Sequence, residues 1–548
     1  MKVSGYTQMQ PRGGKTLNKY VSKTDRPVLF ISGGLLVAFV VASFINLDFV
    51  ANIVDWAFAF AVKYFGAFWQ LLLLGTFFIA LFLAFSKYGQ IRLGGMNKPE
   101  IGYFKWLAMI MTTLLAGGGV FWAAAEPMYH FLDRPPLFTG VESATESAII
   151  PAFSQSYLHW GFLAWSILGT LGTIVLMYAH YSKGMPLKPR TLLYPILGEK
   201  IMRKSALGTT IDAFSVIAVA AGTIGPIGFL GLQAAYGMEA LYGVPNTLTT
   251  QILIIVGVVA IATVSAVTGL RKGIQFLSNL NVIITLILMV AILILGPGGF
   301  IINTFISSSG VHLQEFFGMA TFRGDSSWLG SWTIFFWGWF LGYGPMMAIF
   351  IATITRGRTI RELVLAVSIT APIVTAFWFT TVGGAGIFYE MAQPGVISEA
   401  LNTSGMPAAM IAITEQLPLN VIIGPLFLLV TILFVVTTGD SMAYTISVAI
   451  TGDGHPPKIM RVFWAVIMGA VASVLLMISE GGVEAIQSFI VVTAIPVSLL
   501  LLPTFWAAPK AAKLLYAEQF GEEAPAENVE INSASLMNEN EAVQDEVH

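Results

Sequence analysis

Long apolar runs recur along this chain and constrain its fold more than any other feature. Twelve runs of about 18 or more residues lie between charged or Gly/Pro-rich breaks, each near the length an α-helix needs to cross a bilayer. Only 11% of the 548 residues are charged and 56% are hydrophobic, whereas a soluble domain has about 25% charged residues. We therefore expect an all-α polytopic membrane protein with twelve transmembrane helices. The predicted spans are 28–47, 66–86, 106–131, 154–180, 209–238, 250–270, 274–306, 332–354, 363–389, 419–450, 462–478 and 484–508.

The distribution of Lys and Arg predicts the orientation of these spans. With both termini in the cytoplasm, only Lys63, Arg134 and Arg323 of the 28 basic residues fall outside, which leaves 25 inside. This is the bias of a multi-pass protein in the inner (plasma) membrane. The first 27 residues are polar and basic and precede a full-length span, so we interpret them as a cytoplasmic tail and not as a cleaved signal peptide.

Span eight combines aromatic side chains with helix-breaking residues at mid-depth. Helical spacing places Trp339, Phe340 and Tyr343 on one face, beside a Gly-Tyr-Gly-Pro segment (342–345) where we expect the helix to break. Aromatic faces bind cations without a counter-charge, so this group is a candidate cage for a quaternary ammonium or similar onium group. Lipid-facing or interfacial aromatics are the alternative, and they account well for Trp332 at the outer end.

Span three carries a second expected break, at the three glycines 117–119, although small-residue helix packing is an alternative explanation. Spans three and eight are five spans apart and so cross in opposite directions. Spans 3–7 and 8–12 would then be inverted repeats with substrate and ions between them. The connecting segment includes an amphipathic stretch, 311–319, suited to a helix on the outer surface or to a polar loop. The predicted segments are a basic N-terminal tail (1–27), two peripheral helices (28–104), the first repeat (105–306), the outer connecting segment (307–330), the second repeat (331–508) and an acidic, disordered cytoplasmic tail (509–548).

Few ionisable side chains lie inside the predicted spans, so each is a candidate functional group. They are Glu126, His130, His159, Asp212 and Asp440. Asp440 lies among hydroxyls and could bind a cation or hold the local backbone, and the structural role is favoured. We expect Glu126 to satisfy backbone groups freed by the broken helix, and His159 to be a hydrogen-bonded packing residue.

Enzyme motifs are absent from the sequence. It has no phosphate-binding loop, no His-Glu-x-x-His, no Gly-x-Ser-x-Gly and no cysteine. We therefore expect no enzyme activity, no cofactor, and energy from ion gradients or substrate exchange. The net charge of −2 and the lack of a basic surface interleaved with aromatics predict no nucleic-acid partner.

Two stretches closely resemble the signature of the betaine/choline/carnitine transporter family: WTIFFWGW (332–339) and IATITRGRTIRE (351–362). Supporting matches are residues 84–94, Glu126-Pro127, His159-Trp160 and residues 231–233. The resemblance covers nearly all of the chain between its tails. It implies a five-plus-five inverted-repeat core of the leucine-transporter type and a homotrimer embedded in membrane lipid.

The resemblance also implies the substrate-binding residues. By motif, the family's substrate cage corresponds to Trp339, Phe340 and Tyr343, with Trp160 and Tyr129 as further walls. Phe340 stands where family members often have Trp, and a phenyl ring binds a cation more weakly than an indole.

A sodium site between spans three and ten is implied in the same way. By position, its ligands would be the hydroxyls of Thr437 and Thr438 and the carbonyls of Phe434, Thr112 and Leu115. Sodium-independent members of the family lack the hydroxyl pair and place a positive side chain in the core. Residues 222–229 of span five contain no Arg or Lys, which favours sodium as the coupling ion.

These features predict a secondary active transporter that imports a small onium or zwitterionic osmolyte by sodium symport. Glycine betaine, choline, carnitine and dimethylsulfoniopropionate are candidate substrates. Sodium-independent exchange and transport of a non-quaternary zwitterion such as taurine are alternatives. A channel or a solute sensor would share the same composition and topology.

Overall fold

The computed structural model describes residues 24–203, 205–268, 271–451 and 456–521, without the side chains of 112–117 and 265–278. Within these ranges the chain is helical and forms no strand, apart from one isolated bridge between Arg92 and Thr359. The helices used below are α1 (Arg26–Ile45), α2 (Leu47–Phe85), α3 (Tyr103–Leu132), α4 (Glu146–Trp160), α5 (Phe162–Gly169), α6 (Leu171–Met177), α7 (Ala206–Tyr242), α8 (Leu248–Thr268), α9 (Arg271–Leu295), α10 (Gly298–Gln314), α11 (Phe335–Ile354), α12 (Ile360–Leu365), α13 (Ala371–Ala392), α14 (Asn420–Thr451), α15 (Lys458–Ile478), α16 (Glu484–Leu501) and α17 (Thr504–Phe520).

The helices confirm the predicted fold class, an all-α polytopic membrane protein. In the described ranges, nine helices are long and apolar enough to cross a membrane, or ten if one sharply bent pair counts as a single span. A helix is also present at each of the twelve predicted spans. The number of spans that cross the bilayer and the inverted-repeat relation stay predictions.

The second helix is longer than its apolar run. Span two was predicted at 66–86, but α2 begins at Leu47, directly after α1, and runs for 39 residues. The Asn46 side chain accepts a hydrogen bond from the backbone N–H of Phe49 at 2.9 Å and so caps the new helix. At 1.5 Å per residue, α2 is about 58 Å long, well beyond the thickness of a bilayer core.

Span seven and the outer connecting segment need a correction. The predicted span 274–306 is two helices, because α9 ends at Leu295 and α10 leaves it at 104°. The turn contains Gly-Pro-Gly (296–298), and proline supplies no N–H to continue the first helix. The helix predicted at 311–319 therefore starts much earlier, and a short helix, Phe316–Ala320, follows it.

The expected mid-span breaks in spans three and eight are wrong. Both α3 and α11 are helical without interruption, through the three glycines 117–119 and through Pro345. A proline removes one backbone hydrogen bond, which neighbouring helices can compensate in a membrane protein. Interruptions occur in span four instead, where Gly161 separates α4 from α5 and Thr170 separates α5 from α6.

The C-terminal region is more ordered than expected. Span twelve was predicted at 484–508 and the disordered tail from 509, but α16 ends at Leu501 and α17 continues to Phe520. Its last turn is held by an ion pair between Glu518 and Lys183 at 2.7 Å. Disorder over 509–520 is therefore wrong. The rest of the acidic tail, 522–548, lies outside the described residues, as do residues 1–23.

Candidate functional site

Helix α11 presents three buried or partly buried aromatic side chains to the interior of the bundle, and two of them meet α7. Trp339 and Phe340 are 4% and 6% exposed. The indole N–H of Trp339 donates to the backbone carbonyl of Gly222 in α7 at 3.0 Å. One turn later, Tyr343 packs on the same glycine, and its hydroxyl lies 3.2 Å from the Thr223 hydroxyl. Trp339 and Tyr343 therefore share the face that meets α7, as their spacing predicts.

A third ring comes from α4 and completes a corner. The Trp160 ring centroid lies 5.9 Å from that of Trp339 and 5.3 Å from that of Phe340, and its plane is nearly perpendicular to both. Trp339 and Phe340 are parallel to within 5°, with centroids 6.2 Å apart. We call Trp160, Trp339 and Phe340 the ring cage. These centroid distances of 5.3–6.2 Å are those of rings in contact with one another.

The backbone of α3 closes the ring cage from a third direction. A Cβ atom added at Gly118 would lie 2.5 Å from Cη2 of Trp160 and 2.9 Å from Cη2 of Trp339. Carbon atoms in contact are about 3.5–4.0 Å apart, so only glycine fits at this position. Gly118 therefore allows close ring packing, in agreement with the small-residue alternative.

Further aromatic side chains, which the sequence pattern does not single out, surround the ring cage. Phe379 lies 5.2 Å from Trp160, and Phe229 lies 5.7 Å from Trp339, both measured between ring centroids. Trp378 donates its indole N–H to the Gly119 carbonyl at 2.8 Å. Their abundance in apolar spans is the only signal available in sequence, and it does not distinguish them from lipid-facing residues.

Tyr129 is not brought to the ring cage. Its aromatic neighbour is Trp332, at 6.0 Å between ring centroids. Trp332 precedes Trp339 by seven residues, which is about two helical turns. Among the side chains that the structure describes, Tyr129 makes no ring contact with Trp160, Trp339 or Phe340.

Comparison with known sequences identifies the family. A sequence model of the betaine/carnitine/choline family transporters matches residues 27–516, nearly the whole chain. This chain belongs to the betaine/carnitine/choline transporter family. It is 52% identical over 493 residues to glycine betaine transporter 2 of Vibrio parahaemolyticus serotype O3:K6 (strain RIMD 2210633), covering 90% of this chain and 91% of that one. It is also 33% identical to a glycine betaine transporter of Bacillus subtilis (strain 168), covering 87% and 92%, and 31% identical to an ectoine/hydroxyectoine transporter of Virgibacillus pantothenticus, covering 88% and 95%.

A buried carboxylate adjoins the ring cage of this family member. One oxygen of Glu126, Oε2, accepts a hydrogen bond from the Trp160 indole at 2.8 Å. The other, Oε1, lies 2.6 Å from His159 Nδ1 and 3.4 Å from His130 Nε2. His159 Nε2 in turn lies 2.9 Å from the Thr333 hydroxyl. The expectation that His159 is hydrogen-bonded is confirmed, whereas Glu126 binds side chains instead of freed backbone groups.

Three of the five residues carried over for the family's sodium site, Phe434, Thr437 and Thr438, lie on α14. The Thr437 hydroxyl is buried and donates to the Leu433 carbonyl at 2.8 Å, which leaves its oxygen lone pairs available. Thr438 is partly exposed. The two hydroxyls therefore differ in surroundings, although they are adjacent in sequence.

One of these α14 residues faces α3 across a cavity of about 310 Å³. Phe434 lines this cavity together with Met111 and Gly119 of α3. The other two predicted sodium ligands, the carbonyls of Thr112 and Leu115, belong to α3. The side chains of these two residues lie outside the described part of the structure. The spans named for the sodium site are therefore adjacent, and the ligand set itself stays a prediction.

Two further ionisable residues of the predicted spans form buried ion pairs. Asp440 Oδ1 lies 2.9 Å from an Arg461 guanidinium nitrogen, which joins α14 to α15. Asp212 Oδ2 lies 2.6 Å from Arg190 Nε. Buried charges need such partners, so the geometry favours a structural role for both carboxylates.

Proposed function

We propose that this chain is a secondary active transporter that imports a small onium or zwitterionic osmolyte, with glycine betaine as the first candidate, by symport with sodium. Two relatives that cover about nine tenths of the chain are glycine betaine transporters by name, and a third is named for ectoine and hydroxyectoine. All three are named as transporters, and the apolar composition of this chain suits a membrane transporter.

The ring cage is the observation that carries the choice of substrate. Three buried rings contact one another, and two of them have their polar N–H groups engaged elsewhere, by Gly222 and Glu126. The surface that these rings can offer a substrate is therefore aromatic. A trimethylammonium group has no N–H to donate, so methyl contacts and attraction to ring faces are the interactions that it can use. Desolvation of the rings strengthens this attraction to about 2 kcal/mol or more per favourable ring.

Sodium coupling rests on the placement of α14 beside α3. Thr437 and Thr438 supply hydroxyl oxygens, and membrane transporters of this architecture use backbone carbonyls to complete a sodium site. The proposal places both termini in the cytoplasm of a cell with the protein in its inner membrane, following the Lys and Arg distribution. A homotrimer in membrane lipid is part of the same proposal.

Uptake into proteoliposomes separates this proposal from its alternatives. Labelled glycine betaine should enter saturably when an inward sodium gradient is applied, and not when potassium replaces sodium. Equal uptake in both salts would refute sodium coupling. Uptake only into vesicles preloaded with substrate would indicate an exchanger, and flux without saturation would indicate a channel.

A competition series defines the substrate. Unlabelled choline, carnitine, dimethylsulfoniopropionate, ectoine and taurine should be tested against labelled glycine betaine in the same vesicles. The ring cage predicts that quaternary and sulfonium compounds compete better than taurine, whose primary ammonium is strongly hydrated. Stronger competition by taurine would overturn the assignment of an onium cage.

A further inference from the structure

Glu126, His130 and His159 form a compact cluster of side chains beside the ring cage. Glu126 and His130 lie one turn apart on α3, and His159 faces them from α4. All three side chains are between 0% and 1% exposed. Their potential ligand atoms, one carboxylate oxygen and two imidazole nitrogens, all lie within 4.8 Å of one another. We call these three residues the Glu-His-His cluster.

His130 is the member of the cluster whose ring nitrogen Nε2 is buried without a described hydrogen bond. Its Nε2 atom lies 3.4 Å from Glu126 Oε1, but it forms no hydrogen bond with any residue that the structure describes. A buried polar group without a hydrogen bond costs about 1–3 kcal/mol. The helical spacing of four residues nevertheless aims this nitrogen at the same oxygen that His159 contacts.

The spacing of these atoms suits a tetrahedral metal. Ligand atoms about 2.0–2.1 Å from zinc lie about 3.3–3.4 Å apart at tetrahedral angles. The 3.4 Å separation between His130 Nε2 and Glu126 Oε1 already has this length. The 2.6 Å separation between His159 Nδ1 and Glu126 Oε1 would have to open by about 0.7 Å.

The surrounding groups can orient the ligands. His159 Nε2 lies 2.9 Å from the Thr333 hydroxyl and 3.0 Å from Gln155 Nε2. For metal binding, Nε2 would carry the proton and donate to Thr333, the Gln155 amide would turn its oxygen toward Nε2, and the Nδ1 lone pair would face the metal. The second oxygen of Glu126 is held by Trp160. Thr333 and Trp160 are therefore in place to orient two of the three ligands.

We propose that Glu126, His130 and His159 form a binding site for a divalent transition metal of the zinc class. Two imidazole nitrogens and one carboxylate oxygen are a typical zinc donor set, whereas calcium and magnesium prefer oxygen alone. The proposal does not depend on which solute is transported. Because Glu126 also binds Trp160, a metal in this site would lie one hydrogen bond away from the ring cage.

Cobalt binding to the purified, tag-free full-length protein tests the proposal. The chain has no cysteine and only six histidines, so few other sites compete. Titration with Co²⁺ should give the intense visible absorption of a tetrahedral complex at one equivalent per chain, and Zn²⁺ should abolish it. Absence of a stoichiometric tetrahedral spectrum in the wild-type protein would overturn the proposal.

Two variants assign the binding residues. His130→Gln should lose at least tenfold in Co²⁺ affinity. The matched control is His312→Gln, because His312 is also buried with an Nε2 atom that has no described hydrogen bond. Unchanged binding in His130→Gln, or equal loss in His312→Gln, would contradict the assignment. If His130→Gln does not fold, X-ray absorption of the zinc-loaded wild type decides, since a first shell without two imidazoles refutes the site.

Discussion

Substitution of Gly118 by alanine moves two rings of the ring cage without altering any polar group. The added Cβ would lie 2.5 Å from Trp160 Cη2 and 2.9 Å from Trp339 Cη2. Since carbon atoms in contact are about 3.5–4.0 Å apart, Trp160 must move by about 1 Å and Trp339 by about 0.6 Å or more. Both movements displace ring faces from the point at which the onium group is expected.

The expected size of the effect follows from the cost of overpacking. An extra methyl in a well-packed interior costs about 1–3 kcal/mol. The free protein can relax the rings, whereas a bound substrate holds them in place, so most of this cost falls on the complex. The dissociation constant for glycine betaine should therefore rise by about fivefold to 150-fold. Alanine is favoured over glycine in a helix by about 1 kcal/mol, so α3 itself should not be weakened.

Calorimetric titration of glycine betaine into the protein in lipid nanodiscs, at saturating sodium, measures this change. The matched control is Gly257→Ala in α8, where an added Cβ meets no atom within 4 Å. The control gains the same helix propensity without a clash and should bind like the wild type. The reasoning is refuted if a folded Gly118→Ala protein binds within twofold of the wild type, or if Gly257→Ala weakens binding equally.

Three other changes test separate parts of the structure. Trp339→Leu removes one desolvated ring face, which contributes about 2 kcal/mol to cation binding. The glycine betaine dissociation constant should therefore rise about 30-fold. An unchanged constant would show that this ring does not bind substrate. Thr437→Ala combined with Thr438→Ala should raise the sodium concentration for half-maximal uptake at least tenfold, while unaltered sodium dependence would place the ion elsewhere. Asp440→Asn deprives Arg461 of its charged partner and should destabilise the protein by about 3–5 kcal/mol in thermal unfolding. Replacing both residues of that ion pair by neutral ones should cost less than Asp440→Asn alone, and the opposite order would contradict a structural role.

Hydropathy located the helices of this chain but not all of their ends. Asp48, Asp55 and Lys63 lie between the apolar runs of spans one and two, outside both predicted spans, yet α2 continues through all three. Helix continuity depends on backbone hydrogen bonds and on the cap at Asn46, and hydropathy reports neither. In the same way, a long apolar run concealed the 104° turn after Leu295.

The candidate site was predictable where its residues share one helix. Spacing grouped Trp339, Phe340 and Tyr343, and resemblance to the family added Trp160 and Tyr129. The structure brings Trp339, Phe340 and Trp160 together, whereas Tyr343 packs on α7 and Tyr129 contacts Trp332. The fit of Gly118 between two indoles and the contact between Glu126 and His159 could not be predicted. Both join helices that are distant in sequence, and their distances are set by how whole helices pack.

The interruption of span four at Gly161 lies directly beside the ring cage. A side chain there would collide with the Tyr157 carbonyl, so the bend depends on glycine. Trp160 is the last residue of α4, and a cavity of about 300 Å³ borders Gly161. One ring of the ring cage therefore lies at the end of an interrupted span, whereas the other two lie on α11, which is helical without interruption.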